Sequence, residues 1–258
     1  MKKSEGRRSK SEQVFSSDSR RSRFPNTLAT LNPRSEFGLH SDFGFRDSGL
    51  TAPLALLPGF LRPHNSGVNQ KFDAAIRRFD EENARDPNQE QGRPRELLYA
   101  ERLSGWVLKL CPEAGEVLRL AARCQHICRW QSPRENYPMT RAGYLKWRAD
   151  LKKFHAEKSG GILREVGYDE ATIRQVQDLN LKKNFPADVK CRVLEDALCL
   201  VFLEHQFAAL AAKSDDEKMI NAVRKSWEKM TGAARAEALK LPYGDREMTL
   251  IKRALNPG

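Results

Sequence analysis

The chain has 258 residues, with 45 Lys and Arg against 34 Asp and Glu, and 40% of its residues are hydrophobic. That length and apolar content allow a sizeable core and exclude a wholly disordered chain. The longest apolar run, 197–212, is interrupted by Glu204, His205 and Gln206. It is also shorter than the roughly 20 residues that cross a bilayer, so no membrane span is expected. Five cysteines with no secretory leader point to reduced thiols in a cytoplasmic setting. The net charge of +11 suits nucleic acid or a small anionic ligand and chooses neither.

In chain order, residues 1–70 come first, with 11 Lys and Arg, 6 Asp and Glu, and no sustained hydrophobic period. They are expected to be a disordered, basic, Ser/Pro/Gly-rich extension. The alternative is a nucleic-acid-binding arm on Lys2, Lys3, Arg7, Arg8, Arg20, Arg21 and Arg23. The six acidic residues weigh against a transit peptide. A third reading starts the native chain at Val68, where the first well-patterned stretch begins.

From there the period is helical. Phe72, Ala75, Ile76 and Phe79 mark one face. A polar turn over 86–93 leads to Pro94, suited to a helix start, and Leu98, Leu103, Trp106, Val107 and Leu110 supply the next face. Residues 113–130 predict a buried central helix. Thr140 is placed to cap a long helix closed by Gly167, and Asp169 to cap its successor. Residues 192–213 predict a second central helix. Asp215 is placed to start another, with Gly232 beyond its end as a cap, and a last helix is expected near 247–255. No run alternates as a strand should. The expectation is an all-α fold, with one globular multi-helix domain over 71–258.

Phosphate-loop, dinucleotide-binding and nucleophile-elbow motifs are absent from the sequence. Cys124, His126 and Cys128 have the look of a metal cluster. On a continuous helix, however, His126 would lie about 160° from the mean direction of the two cysteines, at about 100° per residue. Buried thiols are the simpler expectation. More informative are polar residues on apolar faces. Asp196 falls between Val193 and Leu200, and His155 between Leu151 and Ile162. A buried carboxylate must be paired, protonated or bound to a cation. His126, His155 and Asp196 together are expected as ligands of a divalent metal or as acid–base groups. Arg123, Arg129, Arg141, Lys182 and Lys183 are expected to hold an anion such as phosphate.

Several strings resemble the domain of unknown function 4202 family: Glu96-Leu-Leu-Tyr-Ala100, the stretch Leu120–Trp130, Tyr137-Pro-Met139, Arg141–Arg148, Phe154-His-Ala156, Leu194-Glu-Asp196 and Arg224-Lys-Ser-Trp227. The resemblance covers about 70–245. A more distant one is to HD-domain phosphohydrolases, in which His and Asp residues hold a divalent metal among helices. By that resemblance, Tyr99 stands near the early His, and Gln125-His126 replaces the His-Asp pair. His155 is similar in place to an extra His of two-metal members, and Asp196 to the late Asp. The metal motif is degenerate. A glutamyl-tRNA synthetase activity, a name the family sometimes carries, is not expected, since neither of its signature motifs is present.

Three functions follow as expectations. The first is an HD-like helical module that binds a phosphorylated small molecule or nucleotide without a conventional metal site. The second is a metal-dependent phosphohydrolase with a rearranged site, in which the metal polarises the phosphoryl group. The third is RNA binding, for which the net +6 of residues 71–258 is modest.

Overall fold

The helical period carries through to the structure. In the computed structural model residues 66–256 are described, and they are helical almost throughout. The helices are α1 (Ser66–Asn83), α2 (Arg95–Leu110), α3 (Glu116–Cys124), α4 (Arg141–Glu165), α5 (Glu170–Leu181), α6 (Val189–Val201), α7 (Phe207–Ala211), α8 (Asp216–Lys229), α9 (Gly232–Ala238) and α10 (Asp245–Leu255). The fold is all-α. Residues 66–70, expected as extension, already belong to α1, while the basic arm lies outside the described residues. Among the described residues no helix is long and apolar enough to cross a membrane.

The capping residues act as their chemistry dictates. Thr140 Oγ1 accepts from the Gly143 N–H, and Asp169 accepts from the N–H groups of Ala171 and Thr172. Asp188 caps α6 through Cys191, and Asp215 caps α8 through Glu217 and Lys218. Each satisfies N–H groups that the first turn of a helix leaves open. Gly143 also sits where only glycine fits, because an added Cβ would lie 2.1 Å from the Pro138 carbonyl oxygen.

Four local features depart from the periodicity. The polar turn over 86–93 holds a two-residue ladder, β1 (Gln89–Glu90) pairing antiparallel with β2 (Arg93–Pro94). Gln91 and Gly92, with φ of 54° and 72°, make the turn between them. The helix expected over 113–130 stops at Cys124. Beyond it, the Cys128 N–H bonds to Asn83 Oδ1 and the Ile127 carbonyl to His155, so the backbone groups that would continue the helix are used elsewhere. The helix expected over 192–213 is interrupted by a π-helical turn, Phe202–Gln206, before α7. Gly232 does not cap α8. It opens α9, whose N-cap is Thr231.

The main packing pairs are α4 with α5, α2 with both α3 and α6, α3 with α5, and α8 with α10. Phe79, Leu103, Leu120, Ile127, Leu163, Ile173, Leu200, Phe207, Met219 and Leu250 are fully buried in the core. Each such side chain contributes roughly 1.5–3 kcal/mol. A separate cluster of Tyr144, Trp147 and Leu151 packs with Tyr137. Beside it the buried Arg134 guanidinium donates to the carbonyls of Tyr137, Pro138 and Thr140. This ties the loop before α4 to the start of that helix.

Candidate functional site

Because α3 ends at Cys124, His126 lies in a turn rather than on a helix face. The turn is fixed from two directions, by Asn83 at the end of α1 and by His155 on α4. Cys128 then takes a left-handed conformation, φ 52°, uncommon for a residue with a side chain. The His126 ring stacks on Tyr99 of α2, with centroids 4.2 Å apart and planes within 11°. It also faces His155, whose ring centroid is 5.7 Å away. Glu96, one turn before Tyr99, brings Oε2 to 3.7 Å from His126 Nδ1, longer than a hydrogen bond. Asp86 holds the start of α2 in place by accepting the Glu96 N–H.

The protonation of this cluster follows from burial and from the neighbouring cations. Burial pushes the Glu96 carboxyl up to about 7, against the opposing pull of Arg129. His126 is held well below the usual histidine range by burial, Arg129, His155, Arg148 and Lys182. His155 is lowered to about 3 by burial and by Arg129, so both imidazoles are neutral at physiological pH. Since the Ile127 carbonyl can only accept, His155 Nδ1 carries the proton and Nε2 is an acceptor.

Cations gather beside these rings. Arg129 lies over the Trp147 ring at 5.2 Å. Burial first and then Arg129 lower the Arg148 guanidinium. Lys152 is lowered by burial, with Lys182, Arg148 and Lys229 adding repulsion against the pull of Glu195. Glu195 is buried, and burial alone would raise its carboxyl. Lys182 and Lys229, both bonded to it, outweigh that and bring it to about 2. Lys182 occupies the left-handed position that ends α5, φ 57°, where glycine or asparagine is usual. That backbone costs roughly 1–2 kcal/mol and is found on a residue bridged to Glu195. Arg129, Arg148, Lys152, Lys182 and Lys229 therefore share one neighbourhood with Glu96 and Glu195.

The expected residues divide. His126 and His155 come together. Asp196 has both carboxylate oxygens engaged by Thr231, which donates its N–H at 2.9 Å and its hydroxyl at 2.6 Å. Among the described residues, no group of three His, Cys, Asp or Glu is placed to hold a metal ion. The donor set thus does not fit the divalent metal expected from His126, His155 and Asp196. Cys124 accepts from Asn180 Nδ2, and the Cys128 thiol lies 3.5 Å from Glu82 Oε2; both thiols are buried. Of the five expected anion-binding cations, Arg129 and Lys182 face the cluster. Arg123 forms a bidentate pair with Asp80, Lys183 pairs with Asp178, and Arg141 is exposed in the first turn of α4.

Sequence reasoning missed Glu96, Arg148, Lys152, Glu195 and Lys229. Helical spacing offered a signal for two of them: Arg148 and Lys152 lie seven and three residues before His155, on its stripe of α4. No curated protein and no solved structure matches the chain. A family model does, over residues 73–251, under the description domain of unknown function (DUF4202), and the chain belongs to that family.

Proposed function

We propose that this domain binds a phosphorylated small molecule or nucleotide at the cation cluster beside Tyr99, His126 and His155, in a reducing, cytoplasmic compartment. One observation carries the reading. Arg129, Arg148, Lys152, Lys182 and Lys229 lie together in a half-buried setting, with Glu195 and a carboxyl titrating near pH 7 among the acidic groups beside them. Gathering like charges away from water is unfavourable, and an anion that enters such a site relieves the repulsion while accepting charge-assisted hydrogen bonds. Guanidinium groups suit phosphate because their donors match two of its oxygens at once. Neutral His126 and His155 add no further positive charge. Hydrolysis has less support, because Asp196 is committed to Thr231. RNA binding also has less support, because the net +6 of residues 71–258 is modest for that role.

Calorimetric titration of the full chain with pyrophosphate and with AMP tests the reading. Binding is expected to weaken about ten-fold or more in Arg148→Gln, the scale of one lost charge-assisted bond. Lys183→Gln should bind as the wild type does. Folded Arg148→Gln and Lys152→Gln proteins that both bind with unchanged affinity would reject it.

A further inference from the structure

Next to the cations lie two buried polar atoms that the anion reading does not use. Among the described residues Glu96 Oε2 and His155 Nε2 have no hydrogen-bond partner, although the two residues are only 7% and 4% exposed. Both residues adjoin His126, Glu96 through the 3.7 Å approach and His155 through the facing rings. A buried polar atom left without a partner is costly, and in native proteins such atoms commonly mark a ligand or a bound water.

The chemistry of these atoms constrains what satisfies them. His155 has its one N–H committed to the Ile127 carbonyl, so Nε2 demands a donor. A fully ionised phosphate has no proton to give there, and it would be repelled by a Glu96 carboxylate. An ammonium donor would be repelled by Arg129 and Arg148. A neutral hydroxyl donates to Nε2 and can also donate to, or accept from, the Glu96 carboxyl in either protonation state. Gln125, next to His126 in the chain, has a buried Oε1 that likewise has no partner among the described residues and is another acceptor.

We infer that the ligand is a phosphorylated polyol, its phosphate held by the Arg and Lys cluster and its hydroxyl groups donated to His155 Nε2 and Glu96 Oε2. This rests on the anion reading above. The hydroxyls can belong to a free sugar phosphate or to the ribose of a nucleotide.

Titrations of the full chain with ribose 5-phosphate, AMP and propyl phosphate separate the cases. At least one of the first two is expected to bind about ten-fold or more tightly than propyl phosphate, which has the anion but no hydroxyl beyond it. Tighter ribose 5-phosphate assigns a free sugar phosphate; tighter AMP assigns a nucleotide. In Glu96→Met, and in His155→Phe if it folds, the preference should fall by about three-fold or more while propyl phosphate binding is retained. Propyl phosphate binding as tightly as both hydroxylated probes would overturn this inference and leave the anion reading standing. So would a preference unchanged in folded Glu96→Met. No binding of any of the three would remove both.

Discussion

Glu96 shows how much one buried side chain changes the behaviour of the site. Its carboxyl, lifted to about 7 by burial, changes charge near neutral pH. Folding raises its pKa above the value of the unfolded chain, 4.5, so folding favours the protonated form. That contribution to stability is full below about pH 4.5 and is lost as the pH rises through about 7. Above that it is constant. At 1.36 kcal/mol per unit the difference amounts to about 3 kcal/mol. Glu96→Gln keeps the shape without the charge. In urea unfolding it should be more stable than the wild type at pH 8 by about 1–3 kcal/mol, with the gap closing near pH 4.5. His155 and His126 act in the opposite sense, losing stability as the pH falls below 6.5, but both proteins retain them and the effect cancels from the comparison. An equal gap at both pH values would show that the Gln change acts through packing alone.

At the scale of elements, helices with strong punctuation were legible. Thr140, Asp169 and Asp215 announced their helices because a short polar side chain before an apolar period has one obvious use. Breaks driven by distant partners were not. Nothing within 120–130 signals that Asn83 and His155 will claim the backbone of Cys128 and Ile127, and this determines where His126 goes. The same holds for Asp196. Its place on the inward face was readable, but its partner, Thr231, lies 35 residues on. Asp196 thereby anchors the residue that caps α9, since Thr231 Oγ1 also accepts the Ala234 N–H. Asp196→Ala should lower the stability of the fold by about 1–3 kcal/mol, read by urea unfolding, and leave phosphate affinity unchanged in the folded protein. Lost affinity without lost stability would return Asp196 to the site. Gly143→Ala sets a second test. The new methyl group meets backbone at Pro138 rather than a side chain that can turn aside, so a loss of about 2 kcal/mol or more is expected by the same measurement.

For the whole molecule, the described chain is held together by an apolar core, while the charges of Arg148 and Lys152 in its cation cluster oppose folding. The surface ion pairs, such as Arg164 with Glu170, contribute little in water. Arg148 and Lys152 differ, because burial and neighbouring cations disfavour their charged forms. Ligand binding and folding are therefore linked. An anion that occupies the cluster only in the folded state stabilises it by about 2.7 kcal/mol at one hundred times its dissociation constant. For a domain of 150–250 residues that corresponds to a rise of about 5–10 °C in Tm. Pyrophosphate should produce such a rise, and sodium chloride at equal ionic strength should not, because general screening does not replace bound oxygens. Lys152→Gln separates the two roles of the charge. Removing one repelled ammonium should leave the unliganded Tm equal to or above that of the wild type, while the rise with pyrophosphate becomes smaller. A lower unliganded Tm with an undiminished rise would assign Lys152 to holding the fold, because a group that binds the anion cannot be removed without shrinking the response.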